Sequence, residues 1–214
     1  MKVYFISGLG ADKRVFKNIH LNNNFQPEYL DWIQPNKSET LKEYSLRLAL
    51  KINFAEPFAL VGLSMGGMVA VEIAKQYKVK KLILLSSVPT SNELPLLYKL
   101  SSRFKFHKML PTILFKSASV LKWVFITDTN ENKKLMRQII IDSDTYFVKW
   151  ALNAIVSWKN DEVPEKLFHI HGDDDFLLPL KNTSATHVVK GGSNMMVLNQ
   201  AQKISFIIND ILIK

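Results

Sequence analysis

The chain has 214 residues, 47% of them hydrophobic, with 28 Lys and Arg against 19 Asp and Glu and a formal net charge of +9. That length fits one domain with room for an insertion, and the apolar content is too high for a disordered chain. No uninterrupted apolar run reaches the roughly 18 residues of a membrane span, and with no cysteine, disulfides and thiolate metal sites are excluded.

The basic residues are scattered rather than gathered in a long Lys/Arg run, and no nucleic-acid module is recognisable. A solvated basic surface is favoured over a nucleic-acid partner. Met1-Lys2-Val3-Tyr4-Phe5-Ile6 is too short for a signal peptide, so a cytoplasmic location is expected.

In chain order, Lys2–Ile6 predicts a first strand. Ser7-Gly8-Leu9-Gly10-Ala11-Asp12 is a glycine-rich loop, with Asp12 placed to cap a helix from Lys13 to about Ile19. Tyr29 to Ile33 predicts a short strand stopped by Pro35. Thr40-Leu41-Lys42-Glu43 has the spacing of a capping box, followed by Leu41, Tyr44, Leu48 and Ile52 at helical intervals to about Asn53. Pro57 separates that helix from Phe58–Leu63, an apolar run typical of a buried parallel strand.

Gly62-Leu63-Ser64-Met65-Gly66 comes next, and Met68, Val71, Ala74 and Tyr77 then recur at helical spacing. G-x-S-x-G alone is a weak pattern. Between a strand and a helix it describes a strained turn that lifts a serine hydroxyl above the sheet edge, at the positive end of a helix dipole. Lys81–Ser86 predicts a further strand. Alternating strands and helices with apolar strand runs imply a parallel sheet covered on both faces.

From Ser91 to Asn160 the texture changes. Glycine is absent, and residues 92–160 hold 11 Lys and Arg against 5 Asp and Glu. Several helices are expected, broken near Pro111 and around Thr127–Asn130, as an insertion over the sheet. Its aromatic residues include Phe115, Trp123, Phe125, Phe147, Trp150 and Trp158. They favour a cap core, although Trp150 and His107 are candidates to face a substrate. The basic excess would suit an anionic substrate or a lipid surface. The alternation resumes with a strand at Lys166–His171, a loop Gly172-Asp173-Asp174-Asp175, a last strand at Ala185–Val189 and an amphipathic C-terminal helix carrying Ile204, Ile207, Ile208, Ile211 and Leu212.

A serine nucleophile needs a base, an acid that orients the base, and donors for the oxyanion. In an open parallel sheet these sit at the carboxyl ends of strands, and three such ends carry suitable residues: Ser7–Gly10, Ser64 and Gly172–Asp175. With Ser7-Gly8-Leu9-Gly10, Gly62-Leu63-Ser64-Met65-Gly66-Gly67, His171-Gly172-Asp173-Asp174-Asp175-Phe176-Leu177-Leu178-Pro179 and Gly191-Gly192-Ser193-Asn194 in this order, the chain resembles the α/β-hydrolases, in a minimal form that begins on their third strand.

The resemblance implies an α/β fold of about six parallel strands flanked by helices, formed by residues 1–90 and 161–214, with a helical cap at 91–160. It implies Ser64 as nucleophile, Asp175 as acid and the N–H groups of Leu9 and Met65 as oxyanion donors. Gly8 and Gly10 would let the backbone approach substrate. Asp173 and Asp174 become solvated or capping loop carboxylates. The implied reaction is hydrolysis of a small, apolar ester, thioester or amide through an acyl-enzyme, without metal or cofactor.

The sequence departs from that pattern at the base. Asn194 stands where the resemblance expects a histidine, and an amide takes no proton near neutral pH. His20, His107, His169, His171 and His187 all read more readily as structural than as replacements. Two readings stay open: a hydrolase whose histidine has been removed or recently lost, and a non-catalytic ligand-binding protein on the same scaffold. Neither oligomeric state nor acyl length is legible.

Overall fold

The computed structural model describes residues 1–96, 98 and 129–214. Six strands, β1 Lys2–Ile6, β2 Gln26–Tyr29, β3 Phe58–Leu63, β4 Lys81–Leu85, β5 Leu167–Gly172 and β6 His187–Val189, form one parallel sheet in the order β2-β1-β3-β4-β5-β6. The described helices are α1 Leu41–Ala49, α2 Met65–Gln76, α3 Asn130–Asp142, α4 Thr145–Ser157, α5 Met196–Asn199 and α6 Ala201–Ile213.

Strand order reverses at β1, which pairs with β2 on one side and β3 on the other. In an open parallel sheet a crevice forms at such a reversal, outside the carboxyl ends of the strands. The loops that meet there carry Gly8–Ala11 and Ser64.

The period-2 alternation of the strands divides the core between two faces. Tyr4, Ile6, Leu60, Leu82 and Leu84 pack with α1, α2 and α4. Val3, Phe5, Val61, Ile83 and Leu85 pack with α3, α5 and α6. All six residues of β3 are buried, and each large aliphatic side chain removed from water in this way contributes about 1.5–3 kcal/mol.

Local sequence chemistry sets several boundaries. Thr40 and Glu43 form the expected capping box at the start of α1. That helix stops at Ala49 rather than Asn53, because the following N–H groups of Leu50, Lys51 and Ile52 turn back to carbonyls three residues earlier. The segment after Asp12 makes only a 3₁₀ turn, Lys13–Phe16, and Ile19 is buried beyond it. The second strand lies at Gln26–Tyr29, not Tyr29–Ile33. An edge strand tolerates Pro27, while the apolar run that suggested a strand packs as loop: Leu30 is in the core and the Trp32 ring lies 5.1 Å from that of Phe147. The last strand begins at His187 rather than Ala185.

The segment that begins at Ser91 and returns at Asn160 is tied at its base. Ser91 N–H donates to Asn160 O at 2.8 Å, and Asn160 N–H donates to Ser91 Oγ at 3.1 Å. The Asn160 amide also donates to Pro89 O at 2.8 Å and accepts from Lys75 Nζ at 2.7 Å. Trp158 Nε1 donates to the buried Glu72 carboxylate at 2.8 Å. Within the segment, α3 contributes Met136, Ile139 and Ile140 to one core face and α4 contributes Phe147, Ala151 and Ile155 to the other. The expectations for His107, Pro111, Phe115, Trp123 and Phe125 fall outside the described residues. No described helix is long and apolar enough to cross a membrane.

Candidate active site

Ser64 links β3 to α2 with φ 50° and ψ −120°, a backbone conformation costly for any residue with a side chain. The surroundings enforce it. Ser64 N–H donates to Leu85 O at 2.9 Å, and its carbonyl accepts from Gly67 N–H at 2.9 Å and from Ser87 Oγ at 2.6 Å. The flanking glycines are required by contact. A Cβ on Gly62 would strike the Gly66 carbonyl, and one on Gly66 would strike the Ser7 carbonyl. A tight strand-to-helix turn pressed against the end of β1 has room for neither.

Met65 opens α2, so its N–H belongs to the first turn, where no intrahelical acceptor exists. The opposing loop is fixed through Ala11. Its N–H donates to Gly8 O at 3.0 Å, and its carbonyl accepts from Ser7 Oγ at 2.9 Å and Trp32 Nε1 at 2.9 Å. A Cβ on Gly8 would sit 3.4 Å from Ser64 Cβ, which places this loop directly against the serine. Gly10 has φ 66°.

The acid loop and the last loop cross where Gly172 meets Gly192; a Cβ on Gly172 would overlap the Gly192 backbone. Asp174 N–H donates to Gly192 O at 2.9 Å, and Asp173 Oδ1 accepts Gly191 N–H at 2.6 Å. Asp173 and Asp174 therefore bind the loops together, and that brings Asp175 to Asn194.

Asp175 is buried. Its Oδ1 accepts the N–H groups of Leu177 and Leu178, both at 3.0 Å, and its Oδ2 accepts Asn194 Nδ2 at 3.1 Å. Burial pushes its carboxyl above the ordinary range, against the opposing pull of Leu178 N–H and the Asn194 amide. Asn194 Nδ2 also reaches Ser86 O at 3.3 Å.

Behind the acid, His171 Nε2 lies 2.7 Å from Leu178 O and 3.6 Å from Asp175 Oδ2, and its Nδ1 lies 2.9 Å from His169 Nε2. A carbonyl only accepts, so His171 Nε2 carries hydrogen. Burial, followed by the neighbouring His171, holds His169 down to about 3, against a smaller opposing pull from the Ser87 backbone. His169 and His171 are thus a fully buried pair behind Asp175.

A cavity of about 210 Å³ joins these parts. It is lined by Gly8, Leu9, Ser64, Met65 and Asn194, together with Met68, Tyr98, Leu152, Ile155, Leu177 and Met195, and none of its described lining residues is charged. Sequence reasoning missed Tyr98, Leu152 and Ile155. The signal for the last pair was their spacing of three on an apolar helix, overshadowed by the aromatic residues. Trp150 does not line this cavity. It lies about 200° around α4 from Leu152, packs with its ring tilted 37° and 4.4 Å from that of Tyr44, and donates from Nε1 to Glu39 O at 2.8 Å. Gly10 borders a separate recess with Asp12 and Trp32. Among the described residues no cluster of His, Asp or Glu is arranged to hold a metal.

Sheet order, the strained serine turn and the loops at the strand ends define the α/β-hydrolase fold, and this chain has it. Among solved structures it is similar to MenH from S. aureus, at 18% identity over 99% of this chain and 93% of that one, with a TM-score of 0.72. It is also similar to a thermophilic esterase from Thermogutta terrifontis, at 17% identity over 99% and 89% with a TM-score of 0.71, and to a hydrolase from Pseudomonas aeruginosa PA01, at 13% identity over 99% and 89% with a TM-score of 0.76. No protein-family model matches the sequence, and no curated protein sequence matches it.

Proposed function

We propose that this chain is a serine hydrolase by construction, built to cleave a carboxylic ester, thioester or amide of a small apolar substrate, with turnover impaired by the amide at position 194. The observation that carries the reading is the 3.1 Å hydrogen bond between Asn194 and Asp175, beside a cavity that holds Ser64. In the complete reaction Ser64 Oγ attacks the acyl carbon, its proton passes to a base at 194 and on to the leaving alcohol. Water then releases the acid by the same route. Leu9 and Met65 N–H would stabilise the oxyanion. With asparagine as residue 194 the proton has no acceptor, which typically costs about 10⁴–10⁶ in rate. No metal or organic cofactor enters this chemistry. The esterase of like fold supports the class of reaction.

The second reading, a ligand-binding protein without catalysis, draws on the same asparagine. Both of its amide hydrogens are used, on Ser86 O and Asp175 Oδ2, so the site accommodates the amide without an unsatisfied donor. Treatment with an alkyl p-nitrophenyl phosphonate separates the two. The hydrolase reading expects slow modification of Ser64, seen by mass spectrometry, absent in Ser64→Ala and at least about 100-fold faster in Asn194→His. Equal, slow labelling of both proteins, with tight reversible binding of an apolar ligand, favours the binder.

A further inference from the structure

Four lysines that are distant in the sequence meet at one end of the fold. Lys80 and Lys81 stand at the start of β4, Lys166 immediately before β5 and Lys214 at the end of α6. Parallel pairing brings these distant positions around one recess of about 400 Å³, floored by Phe168 and Ile213. Lys81 Nζ lies 5.0 Å from the centroid of the Phe168 ring. Lys214 is paired with Asp210 at 2.6 Å. Lys80, Lys81 and Lys166 form no ion pair among the described residues. Lys166 is held at φ 56° while its carbonyl accepts Leu82 N–H at 3.1 Å.

The outer face of α6 adds apolar surface. Phe206 and Ile213 are seven residues apart, hence on one side of the helix, and they are 75% and 67% exposed. The recess lies at the amino ends of the strands. Ser64 lies at the carboxyl end of β3, about 16 Å away along the sheet, so this surface is outside the candidate active site.

We propose that this end of the molecule docks on an anionic phospholipid surface. Unpaired ammonium groups meet headgroup phosphates, while Phe206 and Ile213 enter the interfacial layer. Charge complementarity with adjacent exposed apolar side chains selects a lipid over a free anion, which would leave the apolar floor and α6 unused.

The test is sedimentation of the full chain with phosphatidylcholine vesicles, with and without about 30% phosphatidylserine, at physiological salt. Binding is expected only to the anionic vesicles. Removing a lysine at such a surface costs about fivefold, so Lys80→Glu/Lys166→Glu should bind at least about 25-fold more weakly. Phe206→Ser, altered at an exposed position, should bind several-fold more weakly with an unchanged urea midpoint. Lys133→Glu/Lys134→Glu, the same charge change on the exposed side of α3, should retain affinity within about twofold. No binding, equal binding to both vesicle types, or equal loss in both double variants overturns the proposal. So does binding of inorganic phosphate at the recess without affinity for vesicles.

Discussion

Asn194 Nδ2 lies 3.1 Å from Asp175 Oδ2 and 3.3 Å from Ser86 O. Both neighbours accept, which fixes the orientation of the amide and, among the described residues, leaves its Oδ1 without a donor. The buried acid is thus satisfied by three donors, two of them backbone. Asp175→Ala would leave the N–H groups of Leu177 and Leu178 and the Asn194 amide without an acceptor. A loss of about 3 kcal/mol in urea unfolding is expected, and a change below about 0.5 kcal/mol would mean that water replaces the carboxylate.

The buried His169 makes stability depend on pH. Its folded value is about 3, against 6.5 for the free side chain. Between these values the unfolded chain binds a proton that the folded chain does not. The contribution is fully present above pH 6.5 and is lost as pH falls toward 3, at up to about 1.4 kcal/mol per unit. Urea midpoints measured from pH 7 to pH 4 should fall more steeply for the parent than for His169→Gln. Parallel curves would contradict the assignment of His169 as neutral.

Two glycines near Ser64 have different reasons to be glycine. A Cβ on Gly62 meets the Gly66 carbonyl, whereas a Cβ on Gly10 meets nothing within 4 Å and pays only for φ 66°. Gly62→Ala is expected to lose at least about 3 kcal/mol or fail to fold, and Gly10→Ala about 1–2 kcal/mol. Thermal unfolding of the pair decides this, with equal losses as the adverse result.

Trp32 steadies the loop that carries Leu9. Its Nε1 donates to Ala11 O at 2.9 Å, and the ring packs 5.1 Å from Phe147 and 6.1 Å from Tyr44. Trp32→Phe keeps an aromatic ring and removes the donor. Amide exchange at Leu9–Ala11 should accelerate about 5-fold or more, the equivalent of about 1 kcal/mol, while that of β3 stays unchanged. Uniform acceleration would indicate a global loss instead.

The sequence carried the sheet and the serine turn clearly, because apolar strand runs and G-x-S-x-G record local requirements. Ser91 and Asn160, where the composition changes, are hydrogen-bonded partners. Gln26–Tyr29 was illegible because an edge strand needs no apolar run and Pro27 disguises it. The sequence favours a cap core for the aromatic residues of the insertion and offers Trp150 as a candidate to face substrate. Yet Trp150 turns toward Tyr44, and Leu152 and Ile155 line the space around Ser64. The lysine recess could not be read at all, since it exists only through parallel pairing of β4 with β5.

The proposed function makes Ser64 the nucleophile of a hydrolytic site that lacks only the base at 194. Steady-state turnover of p-nitrophenyl butyrate by the parent, Asn194→His and Asn194→His/Ser64→Ala measures this directly. A rise in kcat/KM of at least about 10³ is expected on introducing histidine, with its complete loss when Ser64 is removed as well. A correctly folded Asn194→His protein no faster than the parent, or one whose gain survives loss of Ser64, would contradict it.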